Sequence, residues 1–393
     1  MGLSSIVIYS LLQMIFLSLS LGMAVEYIYR FTMSRVLTVV SIIFYSLNPV
    51  VSVFSFSTCK NILFSACLLM LTCSLWEQCN GGEVFGKILA FSFLGCLLLN
   101  NFPYALVAYL FIIIVFNRKL SKCYAIPVAF SLLLFFLISN FLYPALNIEK
   151  GPDKEMLSVP LQQIVHACEY GDLSPEEINH VRSFFIDNDY YYFQYGNADM
   201  IKTRFNENDY ENRKKEFYKM YFRIVSEEPV GSIYSFLRLN FPLWSPMGID
   251  ICDYTMTDYI ETDTYEIPIE GFTGFERMSF FPKLLEIYES FTSYSMIKDH
   301  PVLRFIFGAS LPFIIFLICF IKLVYSGLKE KILIFLPYLF LVITHLFGPL
   351  SNMRYAFPGI VLIPVMISVA FADKAELKNE KSFIFDNGNE LSD

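Results

Sequence analysis

Charge is scarce in this chain, and its scarcity sets the class. Only 17% of the 393 residues are Asp, Glu, Lys or Arg, against 55% apolar, and the mean hydropathy is +0.50. Soluble globular chains carry roughly a quarter charged residues, so that class is excluded. Charge is missing altogether from runs 1–25, 36–59, 61–76, 88–117, 123–148, 305–321, 332–353 and 355–372. A helix needs roughly 20 apolar residues to cross the hydrocarbon core, so most of these runs are expected to span a membrane. No basic residue precedes the first run, and it outlasts the apolar core of a signal peptide, so a retained helix is expected there.

Other absences narrow the chemistry. Histidine and cysteine never cluster at zinc-site spacing, and His166 and His180 read as isolated surface residues of helices. Seven of the nine cysteines fall in or beside apolar runs, where thiols act as small apolar groups. Cys168 and Cys252 are the exceptions, and a disulfide between them is open without a spacing signature to support it. The net charge of −8 leaves no basic excess for nucleic acid. The acidic run Asp253, Asp258, Glu261, Asp263, Glu266 lacks EF-hand spacing. No cofactor motif is present, although a divalent cation stays open.

What is present is an interruption. A polar stretch, 147–301, separates two apolar sets and holds 27 acidic against 14 basic residues, a net −13 that leaves +5 for the remainder. The run 88–117 is broken by Asn100-Asn101-Phe102-Pro103. Counting it as two segments puts 12 basic residues on one side of the membrane and 3 in short segments opposite; counting it as one gives 5 and 10. The positive-inside rule selects the former, as two short spans or a re-entrant hairpin of the same parity. The expected fold is therefore an all-α polytopic membrane protein of about nine segments: six within 1–146, an outward, mainly helical domain at 147–301, three segments within 302–372, and a cytoplasmic tail, 373–393. The N-terminus lies outside.

Local signals organise the polar domain. Pro160 near a helix start, with Leu161, Ile164, Val165 and Cys168 on one stripe and Gly171 beyond, predicts a helix from Ser158. Ser174-Pro175-Glu176-Glu177 predicts a capping box opening a helix that runs to about Phe185. A further helix is expected over 211–233, followed by an irregular, aromatic-rich remainder.

Four segments carry a resemblance: Phe56-Ser57-Thr58-Cys59-Lys60-Asn61 after the helix with Asn48-Pro49; Ser158-Val159-Pro160-Leu161-Gln162-Gln163; Asp199-Met200-Ile201-Lys202 after a Tyr-rich stretch; and Gly348-Pro349 with Arg354-Tyr355 and Pro358. Together they resemble a bacterial family of polysaccharide-associated membrane proteins related to the GT-C superfamily of polyprenyl-phosphate-dependent glycosyltransferases. Members of that family usually carry Lys-Asp where Lys60-Asn61 stands. GT-C enzymes place an acidic residue in the first outer loop, whereas no acidic residue precedes Glu26 here, so the N-terminal helices of that superfamily are expected to be missing.

The resemblance implies sugar transfer from a phosphate-linked lipid to a hydroxyl at the outer face of the bacterial plasma membrane. Such chemistry needs a carboxylate for the hydroxyl proton and cations for the departing phosphate. Asp199 and Glu155 are the candidate bases. Lys60 and Arg354, single basic residues at the outer ends of apolar helices, are the candidate phosphate ligands, with Arg304 a third. Tyr192 and Tyr195, in the run Tyr190-Tyr191-Tyr192-Phe193-Gln194-Tyr195, and Gln163 are candidate sugar contacts. The expected partners are membrane lipid, a polyprenyl-linked sugar or oligosaccharide, and other polysaccharide-assembly proteins. A repeat-unit polymerase or ligase is an alternative within the same chemistry. A lipid-linked oligosaccharide transporter ranks lower, since internal repeats and ionisable residues deep in helices are wanting, and a non-catalytic accessory subunit ranks third.

Overall fold

The computed structural model describes residues 3–116, 121–148, 151, 153–190, 193–250, 281–292, 296, 299–349, 351 and 353–371. The regular elements among them are helical, with an isolated antiparallel bridge between Phe185 and Phe205. Among the described residues, four helices are long and apolar enough to cross a membrane, or six if two bent pairs each make one span. The chain is an all-α membrane protein. It divides into two compact units: the described residues of Met1–Leu137, Pro312–Leu341 and Phe357–Asp393 form the first, and those of Ile138–Leu311 and Val342–Ala356 the second.

The first unit opens with α1 (Leu3–Thr32), α2 (Arg35–Leu47), α3 (Pro49–Phe56), α4 (Lys60–Cys79), α5 (Phe85–Leu98), α6 (Phe102–Phe116) and α7 (Ser121–Leu137). The run 36–59, read from sequence as one span, is a pair bent by 52°. Pro49 has no N–H for the helix ladder, and the Asn48 side chain accepts from Val50 N and Val51 N, capping α3 afresh. Gln13 of α1, fully buried, donates to the carbonyls of Ser55 and Ser57 and satisfies the frayed end of α3. Helix α4 packs against α1 and α5 and is buried along most of its length. By contrast, α1 turns Ile8, Leu12, Ile15 and Leu19 outward, an apolar face suited to lipid rather than water. Asn100-Asn101 separates α5 from α6, which return on each other: the Phe102 ring lies edge-on to Phe64 at 5.0 Å and sits over Gly95, where any side chain would strike it.

The second unit is built on α8 (Ser158–Tyr170), capped by the Gly171 N–H bonded to Ala167 O. Around it lie α9 (Pro175–Arg182), α10 (Asp199–Lys202), α11 (Lys214–Glu227) and α12 (Pro229–Leu239). The Ser174–Glu177 capping box is complete in both directions; α9 ends at Arg182, short of Phe185. The stretch expected as one helix over 211–233 is divided among three: a short helix, Glu207–Asn212, ends at Arg213 (φ −122°, ψ 26°), α11 follows, and Pro229 forces Glu228 out of helical geometry (φ −118°, ψ 55°) and begins α12. Apolar residues of α8, α9 and α11 form one core with Phe184, Phe185, Ile201, Phe205 and Tyr210, while Arg213 lies 4.2 Å over the Phe184 ring. Later in the chain come α13 (Pro301–Phe307), α14 (Leu311–Tyr325), α15 (Lys329–His345) and α16 (Met353–Phe371).

Candidate functional site

Three of the four resemblance segments converge in the second unit. The turn before α8 carries Glu155, and Ser158 Oγ donates to the Glu155 carbonyl at 3.2 Å. Further along α8, Gln162 reaches across to the carbonyls of Gln194 (2.7 Å) and Tyr195 (3.2 Å), anchoring the Tyr-rich stretch. That stretch leads to α10, where the Asn197 side chain accepts from Asp199 N at 2.9 Å. The Ala198 N–H donates to Pro349 O at 2.7 Å, tying in the Gly348-Pro349 segment. Asn240, at the end of α12, donates to Leu346 O at 2.9 Å. Val159, Ala198 and Leu239 pack together beneath these contacts.

At this junction Lys202 is the centre. It is 3% exposed, and its Nζ lies 2.6 Å from Glu155 Oε2 and 2.7 Å from Asp199 Oδ1. Asp199 and Glu155, 44 positions apart in sequence, thus share one buried ammonium. Their side chains are 42% and 56% exposed, so two carboxylates face water while their cation does not. The trio carries a formal net charge of −1, two carboxylates to one ammonium.

A ring cluster adjoins it through Tyr195. His166 of α8 contacts Tyr170, Phe193, Tyr195 and Tyr234, with centroids 5.2–5.9 Å away. Sequence placed His166 on the surface; it is 6% exposed, because its helix face turns toward α12, where Gly231 leaves room for the imidazole. Burial lowers its pKa below the usual histidine value, with Glu228 opposing in part. The imidazole is therefore neutral at pH 7, which fits a buried Nδ1 without a hydrogen-bond partner.

A family model matches residues 3–383. The chain belongs to DUF6020, a family of unknown function. No curated protein and no solved structure matches it.

The remaining candidates of this DUF6020 chain fall in different surroundings. Gln163 is committed inside the unit, donating to Ser232 O at 3.1 Å and accepting from Tyr221 Oη at 2.7 Å. Its amide is therefore a strut between helices rather than a free sugar contact. Tyr195 is half-buried in the ring cluster, and Tyr192 lies outside the described residues. Arg354, at the start of α16, rests 4.9 Å over the Tyr355 ring and donates to its hydroxyl. Arg304 reaches Met247 Sδ at 2.9 Å. Lys60 is exposed at the first turn of α4 and belongs to the first unit. Cys168 carries a free thiol, raised to about 12 by burial, and Cys252 lies outside the described residues, as does the acidic run 253–266.

Sequence reasoning missed four residues: Lys202, Arg238, Tyr234 and Glu77. Lys202 reads as one surface lysine among many; its i,i+3 spacing from Asp199 is the only local signal. Arg238 and Tyr234 of α12 join the ring cluster through the four-residue spacing of one helix face. In the first unit Glu77 is buried at the end of α4, where Tyr27 Oη (2.6 Å), Lys87 Nζ (2.8 Å) and Arg30 Nη1 (3.4 Å) surround it.

Proposed function

We propose that this protein is a membrane glycosyltransferase of cell-surface polysaccharide assembly, acting on a polyprenyl-phosphate-linked sugar at the outer face of the bacterial plasma membrane. The observation that carries the reading is the pairing of Glu155 and Asp199 on buried Lys202, where the resemblance segments meet. The resemblance to GT-C proteins supplies the reaction class.

In this scheme one of the two carboxylates accepts the proton of the acceptor hydroxyl as its oxygen bonds to the anomeric carbon. The C–O bond to phosphate breaks with its electron pair, and the lipid phosphate departs. Lys202 is a positioning residue, holding both carboxylates in one geometry. Arg354, braced against Tyr355, neutralises the phosphate. The nine-segment topology, with the polar domain outside and the C-terminus cytoplasmic, delivers a lipid-linked donor to that face.

Mass spectrometry of lipid-linked oligosaccharides from a deletion strain, complemented with wild type or with Glu155→Gln, Asp199→Asn and Arg354→Ala, tests this. Loss of one sugar from the intermediates, restored by wild type and not by the variants, is expected. Complete single units with loss of long polymer would move the assignment to a repeat-unit polymerase. An unchanged profile in the deletion strain, or full rescue by all three variants, would refute the transferase.

A further inference from the structure

Arg238 is a charged group that this transfer leaves unused. It projects half-buried from α12, its guanidinium carbon 5.2 Å from the Tyr195 ring centre, 5.8 Å from Tyr234 and 5.9 Å from Phe241. Its Nε is buried without a hydrogen-bond partner. Acidic residues outnumber basic ones 27 to 14 across 147–301, and Arg213, Lys214 and Arg223, at and along α11, hold Glu216, Glu211 and Glu177. Arg238 joins no carboxylate among the described residues. Ring faces offset part of its desolvation, but they answer none of its five N–H donors.

The rings beside it are open to water. Tyr170 is 63% and Tyr234 46% exposed, although apolar faces of this size ordinarily turn inward. Tyr170 stacks on Tyr195 at 5.8 Å with 20° between planes, and Tyr234 stands edge-on to Tyr195 at 5.7 Å. Neutral His166, touching these three rings and Phe193, braces their arrangement without adding charge. The result is a rigid aromatic surface with one unanswered cation at its edge.

We infer that Tyr170, Tyr195, Tyr234 and Arg238 form a binding site for a sugar ring that carries an anionic group. The C–H face of the sugar lies on the tyrosines, and its anion pairs with the guanidinium, which takes two oxygens at once. The anion is the carboxylate of an acidic sugar or the phosphate of a glycosyl phosphate; each can offer two oxygens to the guanidinium fork. The inference rests on the carbohydrate reading above but not on the transfer step, since it concerns residues apart from Lys202 and its carboxylates.

Saturation-transfer NMR on the purified full-length protein in detergent, titrated with methyl glucuronide, glucose 1-phosphate and methyl glucoside, tests it. At least one charged sugar is expected to bind about tenfold or more tightly than the neutral one, the worth of one bidentate charge-assisted contact. Preference for glucuronide identifies an acidic sugar, and preference for glucose 1-phosphate identifies the donor. Arg238→Gln should erase the preference and Arg238→Lys retain part of it. Tyr234→Ala, at an exposed position that folding tolerates, should weaken all three. Equal binding of charged and neutral sugars, no binding of any, or a preference that survives Arg238→Gln would overturn the site. Binding retained while transfer is absent in every variant and in wild type would sink only the transferase, and transfer without sugar binding at this surface would sink only this inference.

Discussion

Lys202→Met keeps the length of the buried stem and removes the ammonium that joins Glu155 to Asp199. Both carboxylate oxygens lie on Nζ, at 2.6 and 2.7 Å, so they are within about 5 Å of each other. Two unit charges at that separation repel by roughly 1 kcal/mol in water and about 3 kcal/mol at the effective dielectric of a protein surface. With side chains 56% and 42% exposed, solvent screening favours the lower figure. Losing a charge-assisted hydrogen bond to each carboxylate, with water taking over, adds about 1 kcal/mol in all. The unfolding free energy should fall by about 2 kcal/mol, a drop of roughly 4–8 °C for a unit of this size. Thermal unfolding followed by tryptophan fluorescence, in one detergent at one scan rate, reads the shift. The decisive comparison is Glu155→Gln in both backgrounds. In wild type it removes a partner of Lys202 and should cost about 1 kcal/mol; in Lys202→Met it relieves the repulsion and should restore about as much. If Glu155→Gln lowers the midpoint equally in both backgrounds, the two carboxylates do not share one cation and the site is wrongly built.

Three further outcomes follow from packing and titration. Gly95→Ala would place a Cβ 2.7 Å from Phe102 Cε1, so the ring must move and the first unit should lose about 1–3 kcal/mol, read as a lower midpoint in the same melt. His166 has a folded pKa below its unfolded value of about 6.5, so below that pH the unfolded chain takes up a proton that the folded chain refuses. Stability should hold above about pH 6.5 and fall as pH drops toward the folded value; His166→Phe, which leaves no polar atom unpartnered, should flatten that part of the pH profile, and an unchanged profile would refute the burial of His166. Ser174→Ala breaks the capping box that opens α9 and should cost about 1 kcal/mol, visible as faster amide exchange in that helix.

The sequence made legible what depends on neighbours in the chain. Ser174 and Glu177 are three apart, and the cap forms as their spacing requires. Gly171 ends α8 where its stripe ends, and the Asn100-Asn101 interruption does divide two helices. Pro49 and Pro229 were legible as residues but not as breaks, because whether a proline bends or divides a helix depends on what caps the next turn, here Asn48 in one case and the non-helical Glu228 in the other. Lys202 was illegible for a different reason. Its burial depends on Glu155, 47 positions away, and on packing of Ile201 into the core, and no periodicity encodes such a meeting. His166 misled because one imidazole on a mixed helix face looks the same whether α12 covers it or water does.

One segment joins the two sites. Residues 193–202 carry Phe193 and Tyr195 into the ring cluster at one end and Asp199 and Lys202 into the carboxylate pair at the other. Between them the backbone is held from both sides, by Gln162 on the carbonyls of Gln194 and Tyr195 and by the Pro349 carbonyl on Ala198 N–H. None of these contacts is a helix or sheet ladder, and each uses a polar atom that would otherwise be costly to bury. A segment tied this way cannot shift at one end without straining the other. A ligand that reorders Tyr195 would therefore change the geometry of Asp199 four residues on, through the bonded backbone and without a moving domain. Placed so, the aromatic surface would do more than add affinity: the ring that would meet the sugar and the carboxylate that would take the hydroxyl proton are set by the same few hydrogen bonds.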